Sequence, residues 1–432
     1  MKKVFLLLFI QISILGFTQE EKKFGIDFHG YVKTDIFFDS RQTVDVREGH
    51  FLLYPQNEVL DFEGNDINAT PKFNILSIQT RLTGKISGPD VLGAKTSGLI
   101  EGAFFGNISP NINVFRLRHA FVKLTWEKAE LLVGQFWHPM FITSSYPGTV
   151  SFNTGAPIQP FTRNPQIRFT KKFGQINILG TLIEQVDFVS TGPGGASPKY
   201  LINSCIPEIN LRLEYSSDNV LIGVGGNYKS LMPRLYVEPS ASDILSQPVK
   251  AKTSERVSGL SAFAYLKVKT EPLTFKLYGV WGQMMYSMTG LGGYAEKTYD
   301  YQNITDTVYT RRLENITYTP ISIFSAWTDI NTNGDTWQLG LFAGLTKNLG
   351  APDVITGNYY GRGKDISYIY RIAPRLIYTN GKFRIAPEIE YTVAAYATND
   401  ELGELNIDYH GVITDSKEIP NFRFLIGVYY MF

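Results

Sequence analysis

Apolar and polar residues alternate along most of this chain. In 24–38 one face reads Phe24, Ile26, Phe28, Gly30, Val32, Thr34, Ile36 and Phe38, and the other reads Gly25, Asp27, His29, Tyr31, Lys33, Asp35 and Phe37. A period of two predicts a strand with one apolar and one mainly polar face. At about 15 residues it is far longer than the usual ~5–6. The same pattern returns in "EINLRLEY", "DISYIYRIAPRLIY", "FRIAPEIEYTV" and the closing "NFRFLIGVYYMF". In the last, Phe422, Phe424, Ile426, Val428, Tyr430 and Phe432 oppose Asn421, Arg423 and Gly427.

The connections alternate in length. Tight turns are predicted at 87–95, 126–130, 173–175, 215–220, 270–272, 331–336 and 378–382, where Asn-Gly and Asp-Asn pairs suit turns that need positive φ. Long irregular stretches lie between them, at about 39–71, 106–113, 138–164, 189–206, 236–256, 290–319, 350–363 and 400–419. This order predicts about sixteen antiparallel strands, an all-β transmembrane barrel with short periplasmic turns and long extracellular loops. Only a closed sheet or a helix pairs every backbone group in lipid. A periplasmic β-sandwich is the competing fold, but its strands would be shorter and its loops less regular. Trp126, Tyr215 and Tyr378, each beside a short turn, mark one interfacial rim.

Composition sharpens the picture. Charged residues are 19% of the 432-residue chain and aromatics 14%, with 25 Tyr and 29 Phe. Soluble domains average about a quarter charged. Lys2, Lys3 and the short apolar run 4–17 read as a signal peptide, expected to be cleaved after 1–19, leaving 20–432 as a single barrel domain. Without Lys2 and Lys3 the 41 basic residues fall to 39 against 40 acidic, so no charge argument favours nucleic acid. The lone Cys205 makes no internal disulfide, and no cofactor or metal is expected.

Three stretches carry a resemblance. "ISGPDVLGAKTSGLIEGAFFG", "FRLRHAFVKL" and "LLVGQFWHPMF" resemble the DcaP-like outer-membrane porins, relatives of the phosphate-selective porins O and P. The resemblance implies a sixteen-stranded diffusion channel in the bacterial outer membrane, a homotrimer, and a preference for small anionic solutes. It also implies an acidic residue where Ala103 stands, which puts that charge in doubt here. The aromatic C-terminus ending at Phe432 matches the strand read by the barrel-assembly machinery, with outer-membrane lipid and lipopolysaccharide as surroundings.

Alternation assigns the lumen. The expected pore-lining and solute-binding residues are Lys33, Arg81, Arg116, Arg118, Arg163, Arg168, Arg212, Arg371, Arg375, Arg384, Glu388, Glu390 and Arg423. Rings of Arg and Lys favour anions. Arg371, Arg375, Arg384 and Arg423 form a single ladder in this reading; in the competing one Glu388 and Glu390 neutralise them and brace the wall. Arg116 and Arg118 fall on the lipid face by strict alternation. Either a bulge near His119 and Ala120 turns them inward or they sit above the hydrocarbon. The third long loop, 138–164, stiffened by Pro139, Pro147, Pro157 and Pro160, is expected to fold into the pore and present Tyr146 and Arg163 to solute.

An enzyme is not expected: His29, His50, His119, His138 and His410 are scattered and fit no catalytic spacing. The alternatives are a non-conducting surface barrel acting as an adhesin or structural protein and, less favoured, an outer-membrane hydrolase.

Overall fold

The structure, a computed structural model, describes residues 24–237, 250–305 and 310–432; the expected signal segment 1–19 lies outside them. Sixteen antiparallel strands close into a barrel. The first (Gly25–Asp39) pairs with the last (Ser416–Met431) from Tyr31 opposite Met431 to Asp39 opposite Arg423. Gly30 and Phe432 extend that seam by exchanging two backbone hydrogen bonds of 3.1 Å. On its other side the first strand pairs with a second that is broken into Lys72–Leu76 and Arg81–Ser87. From Lys95–Ala103 round to Phe383–Ala397 each wall strand pairs with its neighbours along the chain. No wall strand is left with an open edge, which is what a lipid environment requires.

The seven predicted tight turns all join neighbouring strands. Gly174 (φ 61°) and Gly381 (φ 59°) occupy the left-handed positions of two of them. Alternation also sets the facing. Ile100, Val122, Ile167, Leu211, Val224, Ile372 and Phe424 are exposed on the outer surface, while Lys33, Asp35, Arg371, Arg375, Glu388, Glu390 and Arg423 are buried inside. Strict alternation fails at Ile366, expected outside but buried: a register shift between Ile366 and Tyr368 turns it inward.

The long connections are more ordered than their sequences suggest. In 290–319 and 350–363, Gly292–Thr305, Thr310–Pro320 and Tyr359–Arg362 form a three-stranded sheet outside the wall. In 39–71 Thr43–Val46 and Phe51–Pro55 form a hairpin whose second strand is buried throughout. Its Phe51 meets Phe152 (5.8 Å between centroids) and Phe161 (5.0 Å) of the third loop. These rings join Phe105, Trp327, Phe342 and Ile369 in a core that is enclosed by the barrel instead of lying between layers.

Candidate functional site

The interior is organised by wall side chains that hold loop backbone. Glu388 accepts the N–H groups of Val150 (2.7 Å) and Ser151 (2.9 Å), and Lys33 donates to the carbonyl of Val150 (2.9 Å). Asn153 donates to Glu390 (2.9 Å), and Trp327 donates to the Gln159 side chain (2.6 Å). Arg371 reaches both inward segments: Nη1 donates to Ala156 O (2.8 Å) and Nη2 to Leu53 O (2.8 Å), with Nε on Thr392 (2.8 Å). Tyr396 donates to Pro55 O (2.7 Å). Backbone carbonyls and amides far from regular partners are satisfied in this way, as burial demands.

The charges fall into two groups. Along one side the arginines are paired with carboxylates in a fork-to-fork manner. Arg423 donates to Asp39 at 2.8 and 2.6 Å, and Arg375 to Asp329 at 2.9 and 3.1 Å. The single ladder of four arginines is therefore not what forms. Each has its own partners: Arg371 has the loop carbonyls and Glu390 at 3.7 Å, and Arg384 has Thr379 (3.2 Å) and the ring of Tyr429. The compensating acids are Asp39, Asp329 and Glu390, whereas Glu388 is occupied by backbone N–H groups.

In a second group guanidinium is in excess. Arg81, Arg118, Arg116, Arg163 and Arg47 share Glu101 and Asp187. Arg118 lies 2.8 Å from Glu101 and Arg81 3.5 Å; Arg163 lies 2.7 Å from Asp187 and Arg116 3.1 Å. Arg47, at the tip of the first-loop hairpin, donates to Gly106 O (2.7 Å) and otherwise faces the rings of Phe51, Phe105, Phe152 and Phe188. Burial, then the neighbouring Arg116, pulls its pKa well below the arginine value. Burial pushes the Asp187 carboxyl up, but Arg163, Arg116 and Arg47 together hold it below the usual carboxylate range. The Asp187 shift reports the arginines around it, whereas that of Arg47 is mainly the cost of burying a guanidinium.

The facing of Arg116 and Arg118 follows from a bulge. Glu101 pairs with His119 and Gly102 with Leu117, leaving Arg118 as the extra residue. Arg118 and His119 are then buried in succession, while Leu117 points out. Arg116, opposite Ala103 in the ladder, finds its carboxylate in Asp187 from a different loop.

A cavity of about 490 Å³ lies beside this group. Arg81, Glu101, Arg118 and His119 line one side, and Trp137, Phe141 and Tyr146 another. Trp137 stacks on Phe141 (3.9 Å) and Phe141 on Tyr146 (5.4 Å). Tyr146 is exposed, but Arg163 has no exposed surface, because Asp187 and the ring of Trp137 enclose it. Arg168 donates to Trp137 O (2.7 Å) and Arg212 to Pro139 O (3.1 Å), so both hold the start of the third loop. Asp39, Arg47, Asp187 and Asp329 belong to this machinery and escaped the sequence reading. Asp39 was the most legible of them, two residues beyond Phe37 on the inward face of the first strand.

No protein-family model matches the chain, and no curated protein matches its sequence. Solved structures do. The outer-membrane channel DcaP of Acinetobacter baumannii is 14% identical, with 95% of this chain and 97% of that chain covered and a TM-score of 0.64. OmpT, an outer-membrane protein of Vibrio cholerae known in a trimer form, is 9% identical with 95% and 99% covered and a TM-score of 0.53. The anion-selective porin from Comamonas acidovorans is 10% identical with 95% and 100% covered and a TM-score of 0.52. At these identities the likeness is one of fold. The likeness of fold extends over nearly the whole chain, which closes as a sixteen-stranded barrel with the fold of the DcaP channel.

Proposed function

We propose that this chain is an outer-membrane porin through which small hydrophilic solutes diffuse, with a preference for carboxylate- and phosphate-like anions. The observation that carries the preference is the cluster in which, among the described residues, Arg47, Arg81, Arg116, Arg118 and Arg163 share two carboxylates, Glu101 and Asp187. A surplus of fixed positive charge between low-dielectric walls raises the local concentration of anions. The anion selectivity of the Comamonas porin fits the same reading. The third loop 138–164 is the element that narrows the lumen here, joined by the first-loop hairpin. The barrel acts as a channel and not as an enzyme. Export by the 1–19 segment, insertion by the barrel-assembly machinery through the strand ending at Phe432, and a homotrimer set in lipid and lipopolysaccharide complete the proposal. The trimer form of the Vibrio protein supports the last point.

Proteoliposome swelling tests it. Anionic solutes of three to six carbons should enter faster than neutral solutes of equal size. Vesicles that swell no faster than protein-free controls would leave a non-conducting surface barrel as the better account.

A further inference from the structure

We infer that the cavity beside the third loop selects a cyclic, polyhydroxylated carboxylate, that is, a pyranose ring bearing an acid group, of the hexuronate class. This rests on the anion-porin reading above and narrows it to one kind of anion. The cavity's volume of about 490 Å³ falls within the ~300–1,000 Å³ typical of small-molecule sites.

Three kinds of surface meet in it. The stacked series Trp137, Phe141 and Tyr146 leaves Tyr146 44% exposed, and Tyr31 and Tyr429, edge to face at 5.9 Å, stand among the other lining groups. Such rings pack on the flat C–H face of a sugar or on another aromatic ring. Arg81 and Arg118 supply cationic N–H groups; Arg118 Nη1 is buried without a hydrogen-bond partner among the described residues. A carboxylate placed there gains charge-assisted bonds. Glu101 is fixed between the two guanidiniums and accepts from Thr83 (3.0 Å). With Gln79, Thr149 and Ser151 it lines the cavity with acceptors and neutral donors suited to hydroxyls.

Simpler ligands use only part of this surface. A short acyclic anion uses the guanidiniums and leaves the rings uncovered. An aromatic carboxylate covers the rings but strands the hydroxyl and amide groups without partners. A neutral sugar leaves the charge surplus unmet. A hexuronate meets all three.

Block of single-channel current tests this, with glucuronate, gluconate, glucose and benzoate each added to the wild-type protein in planar bilayers. Glucuronate should reach half-block at a concentration at least tenfold below the other three, and Arg81→Gln or Tyr146→Ala should raise that concentration about tenfold. Equal block by gluconate or benzoate would overturn the inference, since ring plus hydroxyls would not be read together. Equal block by glucose would overturn it because the acid would not be read. The wild-type comparison stands even if a variant fails to assemble. A cation-selective channel would instead defeat the underlying anion-porin reading, whereas an anion-selective channel blocked equally by all four would defeat this inference alone.

Discussion

Replacing Glu388 by alanine is the sharpest way to ask what the third loop does. The carboxylate accepts two buried backbone N–H groups, from Val150 at 2.7 Å and Ser151 at 2.9 Å. A buried hydrogen bond contributes a net ~0.5–1.5 kcal/mol, so the two-bond clamp is worth about 1–3 kcal/mol to the docked loop. At ~1.4 kcal/mol per factor of ten, Glu388→Ala should raise the population of locally released loop by about 5- to 100-fold. The anchors at Gly148, Val150 O, Asn153, Ala156 and Gln159 remain, so the N–H side of Val150 and Ser151 loosens while the rest of the segment stays. Glu388→Gln keeps the volume but offers one neutral acceptor, and should fall between the two. Single-channel recording reads the effect as greater open-channel noise and a larger mean conductance, in the order Ala, Gln, wild type. Identical conductance and noise in all three would refute the argument that this clamp sets the width of the lumen.

Other expectations follow from the same interior. Arg371→Met removes the donor shared by Leu53 and Ala156 and leaves Glu390 buried 3.7 Å from where the guanidinium stood. It should lower stability by about 3–5 kcal/mol in a denaturant titration in micelles, and enlarge conductance because both inward segments lose an anchor. Asp39→Ala should cost a similar ~3–5 kcal/mol by stranding Arg423 at the barrel seam, while the double variant with Arg423→Met should recover most of it; a simple sum of the single losses would show that the pair does not couple. His50 in the first-loop hairpin stacks on Phe152 and is held by burial at a pKa of about 4, with Asp35 opposing the shift and Lys33 and Arg47 adding to it. The unfolded chain takes up this proton near pH 6.5, so stability should fall as pH drops from 6.5 towards 4 and level off below, by about 3 kcal/mol in all. His50→Gln should flatten that part of the pH–stability curve, and an unchanged slope would locate the titration elsewhere.

The wall was legible because a lipid-facing barrel leaves a period of two that nothing else in the chain competes with. Strand 24–38, the seven turns and the closing strand follow directly from it. The interior was less legible, for a reason that the hairpin 43–55 makes plain. Phe51, Leu52 and Leu53 are consecutive and all buried, since rings and backbone from several directions surround them and no alternation is left to read. The pairing of arginines was likewise hidden. Arg423 finds Asp39 across the seam, 384 residues away in the chain, and Arg375 finds Asp329, 46 residues away. Opposite charges on inward faces were visible, but which of them meet depends on shear and on strand neighbours that one strand does not encode. The bulge at Arg118 had a local trace: two arginines on a face that could not hold them in lipid. That conflict, more than any motif, pointed to the most positively charged part of the lumen.

The reversal potential of the wild-type channel in a potassium chloride gradient tests the central claim most directly. If the surplus of Arg47, Arg81, Arg116, Arg118 and Arg163 over Glu101 and Asp187 governs the path of solutes, the potential takes the sign of a chloride-preferring pore, and Arg81→Gln moves it towards zero. A potential of the opposite sign, or no conductance steps at all, would contradict the account.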